Sequence, residues 1–295
     1  MKKIACIGVG SGWGAPDQRT ANGPEVVLAK VKEQYPDVFL SHTMFHPSGP
    51  LSSTAVKPLI DIDTRRYHIT RVLRDLAFQV YTIKNDGYFP IIIGGDHSLA
   101  MGTWAGISHW LEDDFSLLWF DAHMDAHTSE TSPSNSPHGM PVAALIGEGH
   151  REWVNLNQKA EPSLKPENLY QFGIRSFEGG EKDLLTTRKA NIYSAAICKE
   201  RSLVTCINEA LLNRKTTHYG ISIDVDAFDP SFAPGTGTTE PDGLNPNDII
   251  SFLQSITNDP NCLALEIMEF NPDKDKDNQT LQWICRFIEA AIEGK

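Results

Sequence analysis

The chain has 295 residues, 40% of them hydrophobic, and a formal net charge of −12. That is enough for a sizeable core in an ordinary globular protein. The acidity repels phosphate backbones and anionic lipid, which excludes nucleic acid and membrane surfaces as natural partners and favours small cations.

In chain order, "MKKIACIGVG" pairs two lysines with a short apolar run. Glycines interrupt it and no small-residue cleavage site follows, so it reads as a first strand rather than a secretion signal. Residues 8–14, "GVGSGWG", suggest a dinucleotide-binding loop, but Trp13 stands where that pattern needs its last glycine. The loop is expected to be a flexible strand-to-loop turn.

Further strands are expected in "FPIIIGGD", "SLLWFDAH", "LYQFGIR", "HYGISIDVD" and "LALEIMEF", which are apolar runs ended by turn residues, as in strands buried on both faces of a parallel sheet. Amphipathic segments at residues 24–34, 65–84, 199–213, 246–256 and 280–292 are expected to be helices. Their alternation with the strands predicts an α/β fold with helices on both faces of a mainly parallel sheet. With no internal repeat and no low-complexity linker, residues 1–295 are expected to form a single domain. No apolar run reaches the ~18 residues needed to span a bilayer. Five cysteines, Cys6, Cys198, Cys206, Cys262 and Cys285, are odd in number and lack CxxC spacing. A soluble, cytoplasmic protein is the expectation.

In such sheets ligands bind beyond the carboxyl ends of the strands. This sequence puts Asp96 and His97, then Asp121 to Asp125, then Asp224 and Asp226, and finally Glu269 at those ends. If the chain stays extended, Asp121, His123 and Asp125 share one side, as do Asp224 and Asp226. Together with His97 they form a set of carboxylates and imidazoles without thiolate, which suits Mn²⁺ better than structural zinc. Six ligands exceed the needs of one ion with an open position. Two ions sharing a bridging carboxylate, at the ~3.5–4 Å typical of two-metal hydrolases, would use them all. The ions' charge would balance Asp121, Asp125, Asp224 and Asp226, and a bridging hydroxide would leave the site attractive to a cationic substrate. Asp96 or Ser98 also fits a plain helix-capping role.

The blocks "GGDHS", "DAHMDAH", "HGMP", "SIDVDAFDPSFAPGTGT" and "EIMEFNP" resemble, in order and spacing, the arginase or ureohydrolase family. That resemblance implies a three-layer α/β/α fold, two Mn²⁺ ions, and hydrolysis of a guanidinium compound by a metal-bridging hydroxide. It implies that His97 and Asp125 bind one ion and His123 and Asp226 the other, with Asp121 and Asp224 bridging. His138 would be the proton shuttle, Asp125 a proton relay, Glu269 the carboxylate that holds the guanidinium, and Thr238 part of the same end of the pocket. Glu266 is the candidate for a structural ion pair beside it.

The loop "TSETSPSNSPHGMP" resembles that of bacterial arginases, implying that Ser132 and Ser134 receive an α-carboxylate. His127 stands where the family usually has an asparagine, and Glu178 where it usually has the aspartate that receives the α-ammonium. L-Arginine, cleaved to L-ornithine and urea, is the expected substrate. Agmatine or another guanidino compound is the alternative, and a noncatalytic metal-binding subunit is a third reading. The resemblance also implies a homotrimer or homohexamer.

Overall fold

Eight parallel strands join one sheet in the computed structural model, which describes residues 2–43 and 62–294. In chain order they are β1 (Lys3–Val9), β2 (Phe39–Thr43), β3 (Tyr88–Gly94), β4 (Phe115–Phe120), β5 (Leu169–Ile174), β6 (Asn191–Ser194), β7 (His218–Asp224) and β8 (Cys262–Met268). Across the sheet they run β2-β1-β3-β8-β7-β4-β5-β6.

The expected strands all form. The two that sequence reading missed, β2 and β6, are the edges. Edge strands are short and lack the continuous apolar run of an interior strand: β6 has four residues, none fully buried. By contrast, every residue of β4 and β8 is buried.

Alternate residues of each strand feed two cores. On one face, Leu118, Phe120, Ile221, Ile223, Leu265 and Ile267 pack with the helices Gly23–Gln34, Leu203–Asn213, Asn247–Ser255 and Gln279–Glu293. On the other, Leu117, Trp119 and Leu263 pack with the helices Ile62–Asn85 and Ala100–Trp110. The result is the three-layer α/β/α arrangement.

Ala100–Trp110 escaped sequence reading because residues 100–108 are all buried, leaving no polar stripe to mark a helical period. The helix expected over 199–213 is instead two, Ala195–Arg201 and Leu203–Asn213. Ser202 interrupts them with a positive φ of 65°, and its hydroxyl accepts from the Thr205 amide at 3.2 Å, starting the second helix.

Central strands β3, β8, β7 and β4 end at one rim. Register aligns Trp119, Ser222 and Glu266 in a row across β4, β7 and β8, just below the turns that carry the polar cluster.

Candidate metal centre and its pocket

The acidic and histidine side chains leave the strand ends through tight turns, not through continued strand. β4 stops at Phe120, and Asp125 lies in the left-handed region with φ 50°. Asp224 begins a short 3-10 turn, Val225–Ala227, and its Oδ1 accepts from the Asp226 amide at 2.8 Å. The expected alternation along an extended strand is therefore incorrect, although the side chains converge.

His97 likewise opens a 3-10 turn capped by Asp96, whose carboxylate accepts from Ser98 N at 3.0 Å and from Gly14 N at 2.8 Å. The capping reading of Asp96 holds. The loop at residues 8–14, expected to be flexible, is buried throughout and tied down, with a Cβ on Gly14 colliding with Asp96. Close backbone approach is what requires glycine there.

Two clusters share one carboxylate. His97 Nδ1 lies 3.1 Å from Asp224 Oδ2, 3.2 Å from Asp121 Oδ2 and 3.3 Å from Asp125 Oδ2. His123 Nδ1 lies 3.1 Å from Asp226 Oδ2 and 3.5 Å from Asp121 Oδ1. Asp121 thus turns one oxygen to each cluster, the arrangement a bridging ligand needs. Asp224 turns Oδ2 to His97 and commits Oδ1 to the turn.

Asp121, Asp125, Asp224 and Asp226 are all buried. Burial, reinforced by Asp121, pushes Asp125 up to about 7, and burial with Asp226 and Asp121 raises Asp224 well above the carboxylate range. Against the pull of burial, the surrounding carboxylates raise both His97 and His123. So much negative charge in so little water favours a cation. Oxygen and imidazole donors without sulfur fit a hard or borderline divalent ion.

The support around His97 points the same way. Its Nε2 lies 2.9 Å from Ser222 Oγ, and its ring stacks on Trp119 at 4.1 Å. A proton on Nε2 donated to Ser222 leaves the Nδ1 lone pair facing the carboxylates. Glu266, considered for an ion pair, instead accepts from the Trp104 indole at 2.5 Å. Burial raises its carboxyl above the usual range, and its other oxygen has no hydrogen-bond partner among the described residues.

Above the clusters opens a cavity of about 180 Å³. His138, Glu269 and Thr238 line it near the clusters, while His127, Ser132, Ser134 and Glu178 line the outer part, so every expected substrate-contacting residue borders one cavity. Glu269 has a positive φ of 66°. Its amide donates to Gly95 O at 2.7 Å, and its Oε1 accepts from His97 N at 2.9 Å. The same oxygen lies 3.2 Å from His138 Nδ1. Burial would lower the His138 pKa, but Glu269, with Asp125 and Asp96 beyond it, lifts it from its ordinary 6.5 to about 9. The His138 amide donates to Gly14 O at 3.1 Å, so the tied loop also positions the histidine.

At the outer end, Glu178 is paired to His127, Nε2 to Oε2 at 2.9 Å, and this hydrogen bond lowers its pKa. Glu181 Oε2 lies 3.3 Å from the same nitrogen. Sequence reading missed Glu181, which accepts from the amides of Ala126 and Glu178 and thereby ties the Asp125–His127 turn to the helix Gly179–Thr187. The signal was available: two acids three positions apart at a helix start resemble a capping box. Ser222 was missed too, although it lies two residues before Asp224 on the same strand face.

An α/β/α sandwich with paired carboxylate and histidine clusters at its strand ends has the build of a metal-binding protein. A match to the arginase family spans residues 2–293. The arginase of Bacillus caldovelox is 35% identical over 207 residues, 70% of this chain and 69% of that protein. The crystal structure of Bacillus subtilis arginase superposes with a TM-score of 0.86 at 28% identity, covering 100% of this chain and 99% of the other. Entamoeba histolytica arginase, solved in complex with L-ornithine, gives 0.84 at 25% identity, with 99% of each chain covered. The chain belongs to the arginase family.

Proposed function

We propose that this hydrolase cleaves L-arginine to L-ornithine and urea with two Mn²⁺ ions. The observation that carries the reading is Asp121, which offers one oxygen to each histidine-centred cluster at the floor of a cavity lined by Glu269 and His138. His97, Asp125 and Asp224 would hold one ion, His123 and Asp226 the other, with Asp121 shared and Asp224 as the second bridge. When bound, such ions offset the carboxylates and bring water's ionisation toward neutral pH.

The chain's own side chains do the rest. Glu269 receives the guanidinium in a charge-assisted pair and orients its plane. Asp125, which lines the cavity beside the clusters, is placed to take a proton during attack. His138, charged at neutral pH, holds a proton that the leaving amine needs. Thr238 borders the guanidinium end, while Ser132, Ser134 and His127 receive the α-carboxylate and Glu178 the α-ammonium. The arginase of Entamoeba histolytica was solved with L-ornithine, the product this reading requires.

One observation favours a second reading, agmatine. The outer end holds two carboxylates, Glu178 and Glu181, against one imidazole, a balance that suits an amine without a carboxylate. Urea release from arginine, agmatine and 4-guanidinobutyrate after Mn²⁺ loading tests both. Arginine is expected to give the highest kcat/KM. Preference for agmatine overturns the substrate, and no urea from any of them favours a noncatalytic subunit.

A homotrimer or homohexamer in the cytoplasm completes the proposal, measurable by light scattering and cell fractionation. Among the described residues no helix is long and apolar enough to cross a membrane.

A further inference from the structure

The two histidines of the centre are backed differently. His97 Nε2 meets a neutral hydroxyl, Ser222 Oγ, and both residues are buried. His123 Nε2 faces a carboxylate, Glu240 Oε1, at 3.7 Å. Glu240 lies on the loop beyond β7, outside the set of side chains that make up the two clusters.

Several contacts hold Glu240 in place. Ser176 Oγ donates to its Oε1 at 3.3 Å, and Ser176 forms an isolated parallel bridge with His123 itself. Arg175 grips the loop's backbone at Glu240 O and Pro241 O, both at 2.9 Å, and reaches Asp226 O at 2.7 Å with the same guanidinium. One buttress therefore ties the Glu240 loop to the turn that presents Asp226. The Glu240 side chain is only 29% exposed.

We propose that Glu240 is a positioning residue for the His123 half of the centre, an inference that rests on the two-ion reading. A neutral imidazole carries one N–H. A carboxylate outside the ring favours the proton on Nε2 and leaves the Nδ1 lone pair directed between Asp121 and Asp226. It also makes the imidazole a stronger donor. At 3.7 Å the effect is mainly electrostatic, and the partial exposure of His123 weakens it, so the low end of the usual range applies. The centre is thus asymmetric: one ion depends on a buried hydroxyl, the other on a charge carried by a surface loop.

The test is a Mn²⁺ titration of the full chain after chelator treatment, followed by calorimetry and by the spin-resonance signal of free Mn²⁺. Glu240→Gln keeps the shape and removes the charge. One of two binding steps is expected to weaken about tenfold, with the other unchanged and the thermal midpoint of the metal-free chain preserved. Glu240→Asp should recover part of that loss, and Ser176→Ala should weaken the same step by a smaller factor.

Unchanged binding in Glu240→Gln, beside a wild type that takes two ions, overturns the role of Glu240 alone. Equal weakening of both steps with a lower metal-free midpoint also overturns it, in favour of a structural role. A wild type that takes fewer than two ions overturns the two-ion reading and this inference with it.

Discussion

The inner and outer ends of the cavity stand on different kinds of chain. At the inner end, Asp121, Asp224 and His97 leave β4, β7 and β3 within a few residues of the last strand bond, are buried, and are braced from beneath by Trp119 and Ser222. At the outer end, Ser132, Ser134 and Glu178 sit on loops and at a helix start, and the Glu178 side chain is 59% exposed. Rigid, water-poor geometry suits groups that must meet reacting atoms, while solvated loops can change what part of a substrate they receive without disturbing those groups. The comparison predicts that inner substitutions lower turnover or metal content and outer ones change KM.

Asp121→Asn should have the largest effect, because it removes charge from both clusters at once. Turnover is expected to fall by more than about 10³-fold, beyond the loss of a single preorganised donor, with fewer than two Mn²⁺ retained per chain by elemental analysis. Full metal content and activity would break the comparison at its inner end.

Glu269→Gln comes next, with metal retained and kcat lowered about 10²–10³-fold. It also carries a pH signature. Glu269 helps hold His138 at about 9, above its ordinary 6.5. A raised histidine keeps its proton until pH climbs through the raised value, so activity that needs the proton is lost near 9 in the wild type. Without the Glu269 charge, the fall should move down toward 6.5. A pH–kcat profile with an unmoved alkaline limb would detach His138 from Glu269.

The same contrast explains what could be read before the structure was known. Interior strands were legible because burial on both faces writes itself as unbroken apolar runs, and the six presumed ligands stood out because ionisable groups at such strand ends need a reason. The sheet edges and the fully buried helix Ala100–Trp110 left no such pattern. How Asp125 and Asp226 reach the clusters was also hidden, since a left-handed aspartate and a one-turn 3-10 helix depend on tertiary support. Contacts between distant segments, such as Gly14 with Asp96 and Glu240 with His123, have no local signature at all.

Outer substitutions should separate cleanly from the inner ones. His127→Asn breaks the pair with Glu178 and frees that carboxylate for a substrate ammonium. If arginine is the substrate, KM should change by about 5–10-fold, the scale of one charge-assisted hydrogen bond discounted for solvent, while kcat and metal content stay within about twofold. A large fall in kcat would mean that the outer end also positions the reacting group.

The smallest effects are expected from the serines, and they should differ from each other. Ser134 Oγ already accepts from the Ser136 amide at 3.2 Å on an exposed turn, so it helps to build the loop. Ser132 is half-buried beside it, and both border the cavity. Ser132→Ala should raise the arginine KM a few-fold, as for one neutral hydrogen bond, and leave the agmatine KM unchanged, because agmatine lacks the carboxylate. Ser134→Ala should raise the arginine KM by less than Ser132→Ala does, since water can replace part of its contact on an exposed turn, and should likewise leave the agmatine KM unchanged. Equal effects on both substrates would show that the loop shapes the cavity without reading the carboxylate, and the choice between arginine and agmatine would then rest on His127 and Glu178.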